Sequence, residues 1–193
     1  DLPRSRGLGD VYKRQYTIAR ANMHQTTDRN FAFEEKRNML DNVDPAWREQ
    51  LVRYLIPLRH YEWGANMNAC GISDAGYGTA ITSAMIFTAG DRLGIAQIIS
   101  RIGILLSGGD GQSLDDGKTE WMENPAWQGV RKALEDSLVL DDWFEMLLAQ
   151  FLVMDGLVYP LVYDHFDRAG QKQGAAAVTC LLYTSDAADE CSC

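Results

Sequence analysis

The sequence predicts an all-α protein, built as a bundle of long helices joined by short turns. Apolar residues recur at helical spacing from Trp47 onward and again in the last third of the chain. Asp44-Pro45 and Asn124-Pro125 are typical helix starts, because Asp or Asn caps the helix and proline has no N–H to leave unpaired. No segment shows the sustained apolar–polar alternation that is typical of strands.

Residues 16–44 are polar and are expected to form an arm that leads into the bundle. The arm is expected to be extended or a short helix, anchored by Phe31 and Phe33. The first bundle helix is predicted over residues 45–72. A kink is expected at Pro57, because proline inside a helix removes a backbone hydrogen bond.

A break over residues 73–78 precedes a second long helix, predicted over residues 79–106. Three of its small residues, Gly90, Gly94 and Gly103, would let a neighbouring helix approach closely. These glycines therefore predict tight packing inside the bundle.

The remaining elements follow from turn and cap signals. Residues 107–117 are rich in glycine, aspartate and serine and are predicted to be a loop. Helices are then predicted over residues 124–138 and from a cap at Asp141 onward. Pro160 is expected to bend the last helix.

Both ends of the sequence resemble translated adapter DNA. Residues 5–15 read SRGLGDVYKRQ and residues 180–190 read CLLYTSDAADE. A transposase adapter used in DNA library preparation contains GATGTGTATAAGAGACAG, which translates as DVYKRQ, and the reverse complement of that adapter end translates as CLLYTS. We therefore expect residues 1–15 and 180–193 to be adapter-derived, and residues 16–179 to be a fragment of a longer gene product.

Composition excludes several classes of protein. The net charge of −9 argues against binding to a phosphate backbone, which needs clustered lysine and arginine. Three of the four cysteines lie in the C-terminal adapter-like end, and Cys70 alone fits a reducing cytoplasm. The apolar run over residues 95–106 contains Gln97 and Arg101 and is too short to span a bilayer. We expect a cytoplasmic protein that binds neither nucleic acid nor membrane.

Inward-facing carboxylates in a helical bundle can hold two iron ions, but such a site also uses two Glu-x-x-His pairs. None of the histidines has a glutamate three positions earlier: His24, His60 and His165. Glu62 and Asp155 are the fallback candidates for metal ligands. Both are expected instead to be buried, hydrogen-bonded acids paired with Arg59 or Arg101.

Other candidate sites have simpler interpretations. His60 is expected to be a packing residue and Cys70 a small core residue. Residues 108–111 lack the Lys and Ser/Thr of a phosphate loop and are expected to form a turn. Asp115 and Asp116 are expected to be solvated loop charges. The tryptophans are expected to anchor the core or an interface: Trp47, Trp63, Trp121, Trp127 and Trp143.

One stretch resembles a known family. RHYEWGANMNACG, at residues 59–71, is similar to the β subunit of the hydroxylase of bacterial multicomponent (soluble di-iron) monooxygenases, of the phenol hydroxylase and toluene/alkene monooxygenase type. The similarity continues through GYGTAITSAMIF (76–87), DRLGIAQIISRIG (91–103), NPAWQGVRK (124–132) and DDWFEMLLAQFLVMDGLVYPLVYDHFD (141–167). Several blocks in one order are specific for the family but not for a substrate.

The resemblance implies a ferritin-like fold and an (αβγ)2 hydroxylase that works with a regulatory protein and a reductase. The α subunit of such complexes carries the di-iron centre, and the reductase supplies electrons through NADH, FAD and a 2Fe-2S cluster. The β subunit shares the fold without the ligands and supports α. On the α pattern, the first Glu-x-x-His would fall near residues 100–103, where neither end can bind iron, and the second beyond Asp167.

The resemblance therefore implies a non-catalytic β subunit, without a metal or cofactor of its own. The complex is expected to be an O2- and NADH-dependent monooxygenase that hydroxylates aromatic or small hydrocarbon substrates. Two alternatives stay open. One is a self-sufficient ferritin-like metalloenzyme that uses Glu62 and Asp155, and the other is a helical interaction protein unrelated to oxygenases.

Overall fold

The computed structural model describes residues 8–37 and 44–172, and the regular elements in these ranges are helical. They follow in the order α1 (Leu8–Arg37), α2 (Pro45–Gln50), π1 (Leu51–Leu55), α3 (Leu58–Ala75), α4 (Thr79–Leu106), α5 (Gln112–Glu123), α6 (Pro125–Ser137), α7 (Trp143–Leu147), π2 (Leu148–Met154), α8 (Asp155–Val158), π3 (Tyr159–Asp164) and α9 (His165–Lys172). In the π segments the backbone hydrogen bonds join residues five apart instead of four, which widens the helix. Residues 143–172 form one continuous helix, here called the C-terminal helix. The all-α prediction is confirmed.

Side-chain caps begin three of the helices. Asp44 and Asn124 each accept a hydrogen bond of 2.9 Å from the backbone N–H two residues ahead, as the two proline-containing starts predict. Asp142 caps α7 by accepting from the N–H groups two and three residues ahead, at 2.8 and 2.9 Å. The prediction of Asp141 was therefore wrong by one residue, since Asp142 is the residue whose carboxylate reaches the free N–H groups.

The predicted polar arm is the long helix α1, packed along α4. The Tyr16 hydroxyl donates to the Phe87 carbonyl at 3.1 Å, and the two rings lie 4.4 Å apart. Phe31 is buried beneath the Arg101 guanidinium, 4.2 Å from the ring centroid, which confirms its role as an anchor. The side chain of Phe33 lies outside the described residues. Contacts with α4 therefore make this segment helical despite its polar composition.

α3 and α4 form the central helix pair of the fold. Pro57 separates π1 from α3, at the position predicted for the kink. α3 continues to Ala75, beyond the predicted end at Ile72. Gly78 then adopts a φ of +89°, which permits the turn, and α4 has the predicted bounds.

The predicted loop over residues 107–117 is wrong in its second half, where α5 begins at Gln112. The Asp110 carboxylate accepts from the Gln112 N–H at 2.9 Å and turns the chain into the helix. A Cβ added to Gly117 would lie 2.4 Å from Ile56 Cγ2. Gly117 therefore allows close packing against the end of π1. From composition alone, such a glycine cannot be told apart from one in a flexible loop.

The small residues of α4 differ in what they contact. A Cβ on Gly103 would lie 2.4 Å from Leu114 Cδ2, so α5 packs closely there. A Cβ on Gly90 would meet nothing within 4 Å, and one on Gly94 would meet only the tip of His24, at 3.9 Å. Tight packing is thus confirmed at Gly103 and not at the other two glycines.

The apolar core is formed by residues of α1, π1, α3, α4, α5, α6 and the C-terminal helix. Its largest fully buried apolar side chains are Phe31, Leu51, Leu55, Ile56, Leu58, Tyr61, Ile72, Ile99 and Ile102. Cys70, predicted to be a core residue, is exposed. It follows the buried Ala69 on α3, and one residue further turns the side chain about 100° around the helix axis.

The side of the C-terminal helix that faces away from the core is apolar and exposed. This outer face consists of Phe144, Leu148, Leu152, Val153, Leu157 and Leu161. By length and composition, Trp143–Asp164 is the one helix among the described residues that could cross a membrane. It is longer than residues 95–106, the apolar run from which the sequence predicted no membrane span. Core helices of soluble proteins meet the same criterion.

Candidate functional site

An arginine lies between two carboxylates in the interior of the bundle. Arg92 on α4 donates from Nη1 to Glu62 Oε2 on α3 at 3.0 Å, and from Nη2 to Asp155 Oδ2 at the start of α8. The exposed fractions of these side chains are 7% for Arg92, 0% for Glu62 and 12% for Asp155. We call these residues, with Tyr61, Gln150, Tyr159 and Tyr163, the arginine cluster.

Tyrosine hydroxyls complete the hydrogen bonding of both carboxylates. Tyr163 donates to Glu62 Oε1 at 2.8 Å, and Tyr61 donates to Asp155 Oδ1 at 2.6 Å. Arg92 also donates to the Tyr159 hydroxyl. Each of the four carboxylate oxygens therefore accepts at least one hydrogen bond, as buried charges require.

The cluster continues toward α6 through amide side chains. Gln150 Nε2 donates to the Tyr61 hydroxyl at 3.1 Å and to Asp155 Oδ1 at 3.0 Å. Asn68 Nδ2 donates to Gln150 Oε1 and to the Ser137 hydroxyl, both at 2.8 Å. This network links α3, α6 and the C-terminal helix through buried polar contacts, which specify one packing of the core.

Helix geometry accounts for the alignment of the cluster. Asp155, Tyr159 and Tyr163 are spaced by four residues and so lie on one side of the C-terminal helix. Gln150 precedes Asp155 by five residues, and the widened turns of π2 bring them onto the same side. The π segments thus extend the polar inner side beyond what a regular α-helix would align.

Burial and the neighbouring charges together determine the protonation states of the cluster. Burial raises the pKa of Glu62, and Arg92 and Tyr163 oppose that rise by stabilising the carboxylate. Burial lowers the pKa of Arg92, but attraction to Glu62, Tyr159 and Asp155 outweighs it, and the net pKa is raised. The pKa values of Tyr61 and Tyr163 are raised by burial and by the adjacent carboxylates. The guanidinium therefore stays charged, and the tyrosines stay protonated as donors.

The donors of the cluster do not fit a di-iron centre. Such a centre uses four carboxylates and two histidines, whereas Glu62 and Asp155 are both bonded to Arg92. Among residues 8–37 and 44–172, no three His, Cys, Asp or Glu side chains come together in a way that could hold a metal ion. The cluster has the chemistry of an internal ion pair.

The structure brings the two candidate metal ligands, Glu62 and Asp155, close together, but the arginine between them is not one that the sequence predicted. Glu62 and Asp155 pair with Arg92, so the predicted partners Arg59 and Arg101 are wrong. Arg59 is directed toward α5, and Arg101 pairs with the exposed Asp28 on α1 at 3.1 Å. An arginine within a mostly apolar helix was the available signal for Arg92, since such a charge needs a buried partner.

His60 is half-buried and stacks on Trp121 with 6.0 Å between the rings. Burial, Arg59 and Lys118 together lower its pKa to about 4. The side chain is therefore neutral at physiological pH and has the packing contact that the sequence predicts. His24 and His165 are exposed and lie apart from the arginine cluster.

The other sequence candidates are part of the scaffold. Gly108, Gly109 and Gly111 have positive φ angles and form the predicted turn. Asp115 and Asp116 are exposed as expected, but they lie on α5 and not in a loop. The tryptophans divide into two buried residues, two half-buried residues and one exposed residue: Trp121 and Trp127, Trp47 and Trp143, and Trp63.

Sequence comparisons identify relatives of the chain. The family model described as Methane/Phenol/Alkene Hydroxylase matches residues 9–190. The oxygenase component DmpL of phenol 2-monooxygenase from Pseudomonas sp. (strain CF600) is 44% identical over 170 residues, and component MhpL from Acinetobacter pittii (strain PHEA-2) is 45% identical over 157. These alignments cover 88% and 81% of the chain but 51% and 47% of the relatives. The chain thus spans about half the length of the curated relatives it matches.

Solved structures show the same fold. The crystal structure of xenon-pressurized phenol hydroxylase from Pseudomonas sp. OX1 matches with a TM-score of 0.83 and 42% identity, over 95% of this chain and 54% of that one. Toluene 4-monooxygenase with bound toluene matches with a TM-score of 0.84 at 18% identity, over 89% of this chain and 58% of that one. The chain has the helical fold of di-iron hydroxylases and belongs to the methane/phenol/alkene hydroxylase family.

Proposed function

We propose that this chain is part of a non-catalytic, β-type subunit in the hydroxylase of a multicomponent monooxygenase. The observation that carries the proposal is the Arg92 guanidinium bound between Glu62 and Asp155. In a family named for hydroxylases, the buried carboxylates of this bundle are engaged by a side chain of the same protein. The role left to the bundle is to support a partner that carries the iron.

The outer face of the C-terminal helix supports this role. Leu152 and Leu161 are 69% and 70% exposed, and a continuous apolar surface of this kind marks a contact with another protein. We propose the di-iron α subunit as the main partner, with a γ subunit in an (αβγ)2 assembly. A rigid neighbour would hold the iron-bearing helices of α within the narrow tolerance that metal sites require.

The proposed complex is cytoplasmic and hydroxylates phenol or related aromatic or small hydrocarbon substrates with O2 and NADH. The di-iron centre of α would supply the O2 chemistry. A reductase with FAD and a 2Fe-2S cluster would supply electrons, and a regulatory protein would complete the system. The names of the phenol 2-monooxygenase components support the aromatic substrate class.

We also propose that residues 16–179 are the native part of the chain. The family match over residues 9–190 includes part of both adapter-like ends, so the boundaries need a direct test. Sequencing the source DNA from a library prepared by ligation, without transposase, should replace residues 1–15 and 180–193 with different sequence. Recovery of the same codons would contradict the adapter assignment.

Co-purification tests the proposed function. A tagged full-length subunit, co-expressed with the α and γ genes of its operon, should retain both partners and restore NADH-dependent phenol hydroxylation. The double variant Leu152→Lys/Leu161→Lys should lose α, because it places two charges on the outer face. Val139→Lys, at an exposed apolar residue after α6, is the matched control and should retain α. A wild-type subunit that retains no di-iron partner would refute the proposal.

A further inference from the structure

The arginine cluster resembles a cation-binding site in which the cation is a side chain of the protein itself. Two carboxylates, from α3 and from the C-terminal helix, face one positive charge that belongs to α4. We propose that Glu62 and Asp155 form a buried cation-binding site, filled from within by the Arg92 guanidinium. The inference rests on the proposed function, because a bundle that leaves the iron to its partner can hold its own inner carboxylates together with an arginine.

The surroundings of Arg92 favour a planar guanidinium. Its central carbon lies 5.1 Å from the centroid of the Tyr159 ring and 5.6 Å from that of Phe151. Aromatic rings attract a guanidinium, and its fork of N–H donors can bond two carboxylates at once. The site therefore offers charge, donor geometry and ring contacts that match this cation.

A free cation has a route to the same position. A cavity of about 570 Å³ lies between α1, α4 and the C-terminal helix. Arg92, Asp155, Tyr159 and Phe151 are among its lining residues. Shortening Arg92 would join this cavity to the space between the carboxylates, so a small cation from solvent could replace the lost guanidinium.

Chemical rescue tests the proposal. The Arg92→Ala variant of the full-length subunit should unfold at a lower temperature than wild type. Low-millimolar guanidinium chloride should raise the unfolding midpoint of this variant in a saturable manner, by roughly 2–4 °C relative to equal sodium chloride. The wild-type protein should show no such rise, because Arg92 already occupies the site.

Two further variants make the result specific. Arg92→Gln keeps a hydrogen-bond donor near Glu62 and should also respond to guanidinium. Arg101→Ala removes an arginine from the same helix whose carboxylate partner, Asp28, is largely exposed, and this variant should not respond. If neither Arg92 variant is recovered in soluble form, refolding yield in guanidinium chloride against sodium chloride gives the same comparison, and a higher yield with guanidinium is expected.

Equal behaviour of the Arg92 variants in the two salts would overturn the inference. That result would leave the proposed function intact if the wild-type subunit still co-purifies with a di-iron partner. Conversely, a wild-type subunit without such a partner would refute the proposed function, whatever the salt response of the variants.

Discussion

The C-terminal helix has an inner face that mixes buried apolar and polar residues and an outer face that is apolar and exposed. The inner face places Gln150, Asp155 and Tyr163 in buried hydrogen bonds, whereas the outer face exposes leucines such as Leu152 and Leu157. A helix at the surface of a monomer usually has its polar residues outside. The buried hydrogen bonds of the inner face fix the packing of this bundle, and the exposed leucines of the outer face are the surface that we propose a partner covers.

The two faces should therefore differ in how they respond to substitution. Changes to the inner face leave buried polar groups without partners, which destabilises the fold directly. Changes to the outer face should leave the fold intact and, under the proposed function, should weaken assembly. These effects on unfolding refer to the full-length subunit.

Removing the inner charge should have the largest effect. Arg92→Met leaves Glu62 and Asp155 buried without a cation, so we expect a loss of about 3–5 kcal/mol in the free energy of unfolding. The charge-free triple variant, which adds Glu62→Gln and Asp155→Asn, should recover most of that loss. Urea unfolding measures both. Equal stability of Arg92→Met and wild type would contradict this prediction. Arg101→Met, which removes an arginine whose partner Asp28 is largely exposed, serves as the control.

A matched pair on the C-terminal helix compares the faces directly. Met154 is buried and Leu152 is exposed, two residues apart on one helix. Met154→Ala should lower the free energy of unfolding by about 2–5 kcal/mol, as is usual for a large-to-small core change. Leu152→Ala should change it by no more than about 0.5 kcal/mol. Similar losses in the two variants would show that the outer face is part of the core.

His60 provides a pH-dependent test at a half-buried position. Its pKa in the folded state is about 4, below the ordinary value of about 6.5. The unfolded state therefore binds the proton first, and stability falls as pH decreases from about 6.5 to 4. After allowance for partial exposure, we expect about 1–2 kcal/mol from this residue. His60→Gln should show a flatter stability profile across that range, and parallel profiles would contradict the assignment.

A small gain in stability should come from a glycine on the outer side of the C-terminal helix. A Cβ added to Gly156 would meet nothing within 4 Å, so Gly156→Ala should stabilise the helix by about 0.5–1 kcal/mol. Thermal unfolding measures the change. Gly117→Ala is the opposed control, because its Cβ would lie 2.4 Å from Ile56 Cγ2 and should destabilise the fold.

Much of the fold could be predicted from local chemistry. The proline-containing caps located the starts of α2 and α6, and helical spacing located α4. The errors arose where tertiary contacts override composition. α1 is polar but packs on α4 through Tyr16 and Phe31. Gly117, which composition assigned to a loop, lies within α5 in close contact with Ile56 after π1.

The candidate site was predictable in part. Glu62 and Asp155 were identified because inward carboxylates in a helical bundle are the ligands that a di-iron site uses. Their partner Arg92 was not, since a helical pattern does not show which side chain of a neighbouring helix comes opposite. Membership of the hydroxylase family excludes the alternative of an interaction protein unrelated to oxygenases.

Iron analysis of the separated subunits tests the central claim most directly. The hydroxylase would be purified from its native operon, its subunits separated without loss of metal, and the iron of each measured. We predict iron with the larger partner and none with the subunit that contains Glu62, Arg92 and Asp155. Stoichiometric iron in this subunit would contradict the account and would make Glu62 and Asp155 candidate ligands again.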